Sequence, residues 1–146
     1  MNKPELLEII HQKISEKIQK LEQLIAETRA SNNDTKSSMG DKYETSREML
    51  QQEINNLQIQ LNEHLKSLQI LKNINPIVHK VVGLGSFVET EKGRFFIAVS
   101  LGEITFNQEK IFVISAESPL AKAMSGKKVG ETFIVNNLTQ IIKNIW

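Results

Sequence analysis

The sequence predicts an α+β protein in which two long antiparallel helices precede a small β domain carrying one short helix. Three observations predict it. Before Asn75-Pro76 the apolar residues recur at steps of three and four, after it they gather in short β-branched and aromatic runs, and six of the seven glycines lie beyond Pro76. The hydrophobic period changes there from helical to extended, which sets the expected domains at 1–75 and 76–146.

The first helix is expected to start at Pro4, because a proline in the first turn lacks only an N–H that has no partner anyway. Leu7, Ile10, Ile14, Ile18, Leu21 and Ile25 form its apolar stripe. It should fray near Arg29, since Ser31-Asn32-Asn33-Asp34 carry side chains that compete for the backbone and favour turns. A second helix is expected from Asp41, with Leu50, Ile54, Leu57, Leu61, Leu65, Leu68 and Leu71 as its stripe. Each stripe is too narrow to bury itself, so the helices should pair as an antiparallel coiled coil about 40 Å long, with a tip near 31–41. Proline disfavours helix in the residue before it, so Asn75-Pro76 should end the second helix, and residues 73–77 are the expected pivot between the domains.

Beyond Pro76, strands are expected at 80–82, 86–89, 94–99, 110–114, 132–135 and 140–142. Turns are expected at Gly83-Leu84-Gly85, Glu91-Lys92-Gly93 and Asn136-Asn137. The strands are interrupted by a short helix, for which Ser118 is the N-cap, Pro119 the first residue and Gly126 the stop.

A chain of 146 residues with 18 basic and 17 acidic side chains carries a net charge of +1, which gives no electrostatic reason to coat nucleic acid or an anionic membrane. Sequence-specific nucleic-acid binding and membrane association are therefore not expected. No cysteine is present, which removes disulfides, thiolate nucleophiles and sulfur-ligated metals and suits a reducing cytoplasm. The N-terminus lacks the pattern of a signal peptide, and no apolar run has the length of a membrane span. A cytoplasmic protein with a protein partner is the expectation.

Catalytic constellations are missing from the pattern. His11, His64 and His79 are scattered, with no i,i+4 pair and no nearby nucleophile. Gly83-Leu84-Gly85-Ser86 lacks the following Gly-Lys of a phosphate loop and reads as a turn. The candidates with chemistry are the carboxylates near the hairpin tip, Asp34, Asp41 and Glu44. Asp41 and Glu44, three apart, share a helix face. They have two readings: favourable charges beside a helix N-terminus, or carboxylates presented to Mg²⁺, which takes one or two carboxylates and fills its remaining sites with water or phosphate.

Ser118-Pro119-Leu120-Ala121-Lys122-Ala123-Met124-Ser125-Gly126-Lys127, continued by Lys128-Val129-Gly130-Glu131-Thr132, is similar to a stretch of the GreA/GreB-type transcription elongation factors, the Gre transcript-cleavage family. Tyr43-Glu44-Thr45-Ser46-Arg47-Glu48 is similar to the helix after that family's tip. The resemblance spans nearly the whole chain. It implies an FKBP-like C-terminal domain and RNA polymerase as partner. The hairpin would enter the polymerase's secondary channel and carry acids to its catalytic centre. It further implies a monomeric accessory factor, not an enzyme, with no cofactor of its own beyond a shared Mg²⁺ in the polymerase active site. Asp41, Glu44 and Asp34 become the Mg²⁺-assisting acids, and Ser118, Pro119, Lys122, Gly126 and Lys127 the polymerase-docking residues.

The tip departs from the family. Aligned on Tyr43, Lys36 and Met39 stand where its cleavage factors carry their Asp and Glu, whereas Asp41 and Glu44 keep the Asp-x-x-Glu spacing two places later than Met39. The chain is then either a cleavage factor with a shifted tip or a channel-binding regulator without cleavage. Two readings of other classes stand beside these: a structural, oligomerising coiled coil, and an FKBP-type prolyl isomerase.

Overall fold

The computed structural model describes the backbone of residues 1–35 and 41–146, and the side chains of all of these except 33–35 and 41–44. It has the expected α+β architecture: α1 (Lys3–Thr35), α2 (Asp41–Asn73), β1 (Phe87–Thr90), β2 (Gly93–Ala98), β3 (Gly102–Phe106), β4 (Glu109–Ser115), α3 (Pro119–Met124), β5 (Thr132–Val135) and β6 (Leu138–Ile145).

Both long helices have 33 residues, about 50 Å each at the α-helical rise. On α1 the buried positions among the described side chains are Lys3, Leu6, Ile10, Ile14, Ile18, Ile25 and Thr28. On α2 they are Ile54, Leu57, Leu61 and Leu71. Three expectations are corrected in detail. The stripe of α1 runs through Leu6 rather than Leu7, which is half-buried, and Leu65 is 45% exposed. The helix also continues through Ser31-Asn32-Asn33-Asp34 to Thr35. Low intrinsic propensity costs only tenths of a kcal/mol per residue, too little to end a helix anchored by the tertiary burial of Ile25 and Thr28. The rest of the expected tip, residues 36–40, lies outside the described ones.

The chain forms two compact units, Met1–His11 with Gln69–Trp146, and Gln12–Leu68. The start of α1 and the end of α2 thus belong to the same unit, which requires the helices to run antiparallel. The composition change at Pro76 lies inside the first unit.

In that unit six strands form one sheet in the order β3-β4-β2-β1-β6-β5. All neighbours are antiparallel except β2 and β4, which pair in parallel from Phe95↔Phe112 to Ala98↔Ser115. The β3–β4 hairpin returns so that β4, not β3, lies beside β2. Strand β3 was not expected from the sequence. Its alternation of buried Ile104 and Phe106 with exposed Glu103 and Thr105 is short, and its tight turn uses Asn107-Gln108 instead of a glycine pair, with both φ positive (51° and 66°). The Asn136-Asn137 turn has the same geometry, φ 52° and 62°, and joins β5 to β6 in the register Val135↔Leu138. The strand expected at 80–82 is absent. Val82 instead donates to the Lys127 carbonyl and accepts from the Gly126 N–H, both at 2.9 Å, so its backbone is satisfied by the turn after α3.

Helix α3 covers one sheet face. Ala121 and Met124 pack in a cluster with Val82, Val88, Phe95, Ile97, Phe133 and Ile142. The opposite face carries Phe87 and Phe96, whose rings lie 6.4 Å apart, and Phe87 meets the Trp146 ring edge-on at 5.5 Å. Because Met124 is fully buried at the centre of the helix–sheet contact, Met124→Ala should destabilise the folded chain by about 3 kcal/mol. Denaturant unfolding monitored by Trp146 fluorescence checks this, and a loss below about 1 kcal/mol would show that α3 does not hold the sheet face.

Candidate functional site

Asp34 falls in the last turn of α1, and Asp41 and Glu44 in the first turn of α2. The fold therefore places all three acids at helix ends on either side of the same five-residue connection, Asp41 and Glu44 at an N-terminus where the backbone dipole favours anions. Their side chains lie outside the described residues. The next turn of α2 exposes Thr45, Ser46, Glu48 and Met49, the last at 66%, along shallow depressions lined also by Gln52 and Asn55. Among the described residues no group of three His, Asp or Glu is placed to hold a metal ion.

The residues expected to dock a partner are brought together at α3. Ser118 adopts extended backbone (φ −66°, ψ 151°), and its Oγ accepts the Ala121 N–H at 3.2 Å, while Pro119 occupies the first helical position. The cap turns Ala121 and Met124 inward and leaves Pro119 and Lys122 exposed. Lys122 pairs with Glu117 at 3.6 Å, a contact between two largely exposed side chains that is worth little. Gly126 takes φ +78°, a left-handed conformation that a side chain would strain, and delivers its N–H to Val82. Lys127 contributes its carbonyl to the same pairing. The motif from Ser118 to Lys127 thus folds as one capped helix and the turn that binds Val82.

Sequence reasoning missed a second cluster, where the linker after α2 meets the first turn of α1. Lys3 is 4% exposed, and its Nζ donates to the Ile77 carbonyl at 2.6 Å. The spacing Lys3, Leu6, Ile10 places this lysine on the buried stripe itself, a signal that apolar counting alone overlooks. Burial pushes the Lys3 amine down to about 8. His79 sits nearby with Nε2 buried and without a hydrogen-bond partner among the described residues, and a Cβ at Gly85 would lie 3.4 Å from it and 3.1 Å from Ile74 Cγ2. Desolvation, and then the charge of Lys3, lower the His79 imidazole below its ordinary value.

A third polar group lies on the sheet. Glu89 accepts from Asn144 Nδ2 at 2.7 Å and from Arg94 Nε at 2.9 Å, and Arg94 also pairs with Glu109. The Asn144 amide, followed by Arg94, holds the Glu89 carboxyl below the usual range despite the opposing cost of burial. These groups bind one another across neighbouring strands, which is a structural role.

Among solved structures, the chain is similar to a crystal structure of GreA factor homolog 1 (Gfh1) of Thermus thermophilus, with 17% identity and a TM-score of 0.38 over 93% of this chain and 94% of that one. It is similar to a second structure described as the transcription factor Gfh1, at 17% identity and a TM-score of 0.38, covering 91% and 89%. Gfh1 of Thermus aquaticus follows at 18% identity and a TM-score of 0.31, covering 92% of each chain. No protein-family model and no curated protein matches the chain. With so little identity, what this chain does has to be read from its own residues.

The linker cluster yields a pH dependence whose sign is fixed. In the unfolded chain Lys3 titrates near its ordinary 10.5, in the folded chain near 8, so between these values the unfolded state holds more protons and stability rises with pH. Lys3→Met removes the titration and keeps an apolar stem. The wild type should gain stability relative to Lys3→Met between about pH 8 and 10.5, measured by thermal or denaturant unfolding. Parallel curves would show that the Lys3 amine is solvated in the folded protein.

Proposed function

We propose that this chain is a Gre-type transcription elongation factor that binds RNA polymerase and presents the acids flanking the helix connection to the polymerase's catalytic centre. The observation that carries the reading is the pair of 33-residue antiparallel helices joined through five residues, with Asp34 on one side of the connection and Asp41 and Glu44 on the other. Two helices with narrow stripes bury little, so their length serves reach rather than stability. The resemblance of the stretch from Ser118 to Lys127 to the Gre family, and its folding as one capped helix and turn, support the same reading.

In this function the chemistry belongs to the partner. Mg²⁺ in the polymerase active site would act as Lewis acid for phosphodiester hydrolysis and lower the pKa of the attacking water. Asp41 and Glu44, one helical turn apart, offer the one or two carboxylates that such an ion accepts from protein while keeping water and phosphate ligands. The chain itself is an accessory factor that needs no cofactor.

One observation favours a second reading within the same class. Lys36 and Met39 occupy the places where the family's cleavage factors carry their acids, so the hairpin would fill the channel without supplying carboxylates in the usual register. Such a protein regulates or inhibits transcription by occupancy.

Transcript cleavage by backtracked complexes of the cognate polymerase separates the two. Cleavage should accelerate with the wild-type chain and lose at least about tenfold of that acceleration in the Asp41→Ala, Glu44→Ala double variant, as expected when groups that assist a metal are removed. Unchanged or slower cleavage with retained polymerase binding assigns the occupancy role. Absence of polymerase binding rejects both.

A further inference from the structure

Among the described residues Lys3 is the one charged side chain that is buried, at 4% exposure. Its ammonium has three N–H groups to place. One goes to the Ile77 carbonyl at 2.6 Å, and among the described residues the other two meet no acceptor and no carboxylate. Taking an ion out of water is costly unless an opposite charge meets it, so a buried ammonium held by a single neutral carbonyl calls for an anion.

The groups around Lys3 are of the same electrostatic kind. His79, two residues beyond Ile77, has its Nε2 buried and without a hydrogen-bond partner among the described residues, and the charge of Lys3 acts on its ring. Gly85, at φ +88°, keeps the Nε2 edge of that ring clear, since a Cβ there would lie 3.4 Å from Nε2 and 3.1 Å from Ile74 Cγ2. The carboxylate nearest in sequence, Glu5, is exposed and accepts from Asn2 Nδ2 at 3.1 Å. Asn2 also caps α1, its Oδ1 accepting the Glu5 N–H at 3.1 Å and its carbonyl the Leu6 N–H at 3.1 Å, so the positive end of the helix dipole lies at Lys3. All of these residues belong to the same compact unit.

We infer that Lys3 and His79 form a binding site for one small inorganic anion of chloride size, which joins the start of α1 to the chain after α2. The Lys3 ammonium supplies the charge and its two remaining N–H groups, and the imidazole, in the tautomer with its proton on Nε2, donates the third bond. Enclosure sets the size. With Lys3 4% and Ile74 8% exposed, the site offers no opening for a phosphate ester or a carboxylate-bearing metabolite. Charge sets the sign, because the ammonium and the helix end both repel a metal cation. An ion held only by the folded chain stabilises it by mass action. The inference is independent of the polymerase-binding reading.

Urea unfolding of the full chain, followed by Trp146 fluorescence while sodium chloride replaces sodium gluconate at constant ionic strength, tests it. At about pH 7 chloride should stabilise the wild type saturably, lowering the unfolding constant about tenfold once its concentration is about ten times the dissociation constant. Chloride binds the ammonium form, so the gain is present below the folded Lys3 value of about 8 and should vanish by about pH 10, where the folded chain has lost that proton. Lys3→Met should show no difference between the salts, and His79→Leu a smaller one than the wild type. Equal stability of the wild type in the two salts overturns the inference. So does a chloride gain that persists undiminished at about pH 10, or that is full in either variant, since a general salt effect would do both. If Lys3→Met does not fold, the two pH values of the wild type decide.

Discussion

An isolated helix in water is marginal until its apolar stripe is covered, and in α1 and α2 that stripe is only about one residue wide per turn. Ile14, Ile18 and Ile25 on one helix and Ile54, Leu57 and Leu61 on the other are buried because each helix supplies the other's missing cover. This mutual dependence makes the antiparallel pairing obligatory, lets low-propensity residues such as Ser31 and Asn32 stay helical, and brings Asp34 and Asp41 to opposite sides of one short connection. The functional reading depends on that constraint more than on any single side chain.

The β domain solves a different problem with different means. Its sheet is covered on one face by a six-residue helix, far too short to be stable alone. Ser118 and Pro119 start that helix, Gly126 ends it, and Met124 fastens it to Val88, Phe95 and Phe133. The turn that follows then pairs with Val82 and so fixes the linker from the other side. The same residues that make the stretch from Ser118 to Lys127 a recognisable motif thus also hold the chain after α2 at Val82.

Much of the fold was legible because it rests on local rules. Helical spacing located α1 and α2, the Ser-Pro start and glycine stop located α3, and β-branched runs located five of the strands in whole or part. What was illegible depended on partners distant in sequence. Val82 looks like part of a strand, but its hydrogen bonds go to residues more than forty positions away. Strand β3 exists because β4 gives it a neighbour, and its Asn107-Gln108 turn lacks the usual glycine signal. Lys3 reads as a solvated charge until the Ile77 carbonyl is seen to hold it. For the site, the positions of Asp41 and Glu44 in the first turn of α2 were legible from helix-start chemistry. The buried contact of Lys3 with the Ile77 carbonyl was not, since nothing in a local pattern says where a carbonyl 74 positions away will lie.

The central claim is that the connection between the two helices reaches the catalytic centre of RNA polymerase. The chain contains no cysteine, so a single thiol at Ser38→Cys can carry a photo-crosslinker without background. With the modified chain bound to its cognate polymerase, irradiation should yield an adduct that maps to the polymerase active centre and disappears when excess unmodified chain competes. A complex that assembles normally but gives adducts only on the polymerase's outer surface would contradict the account.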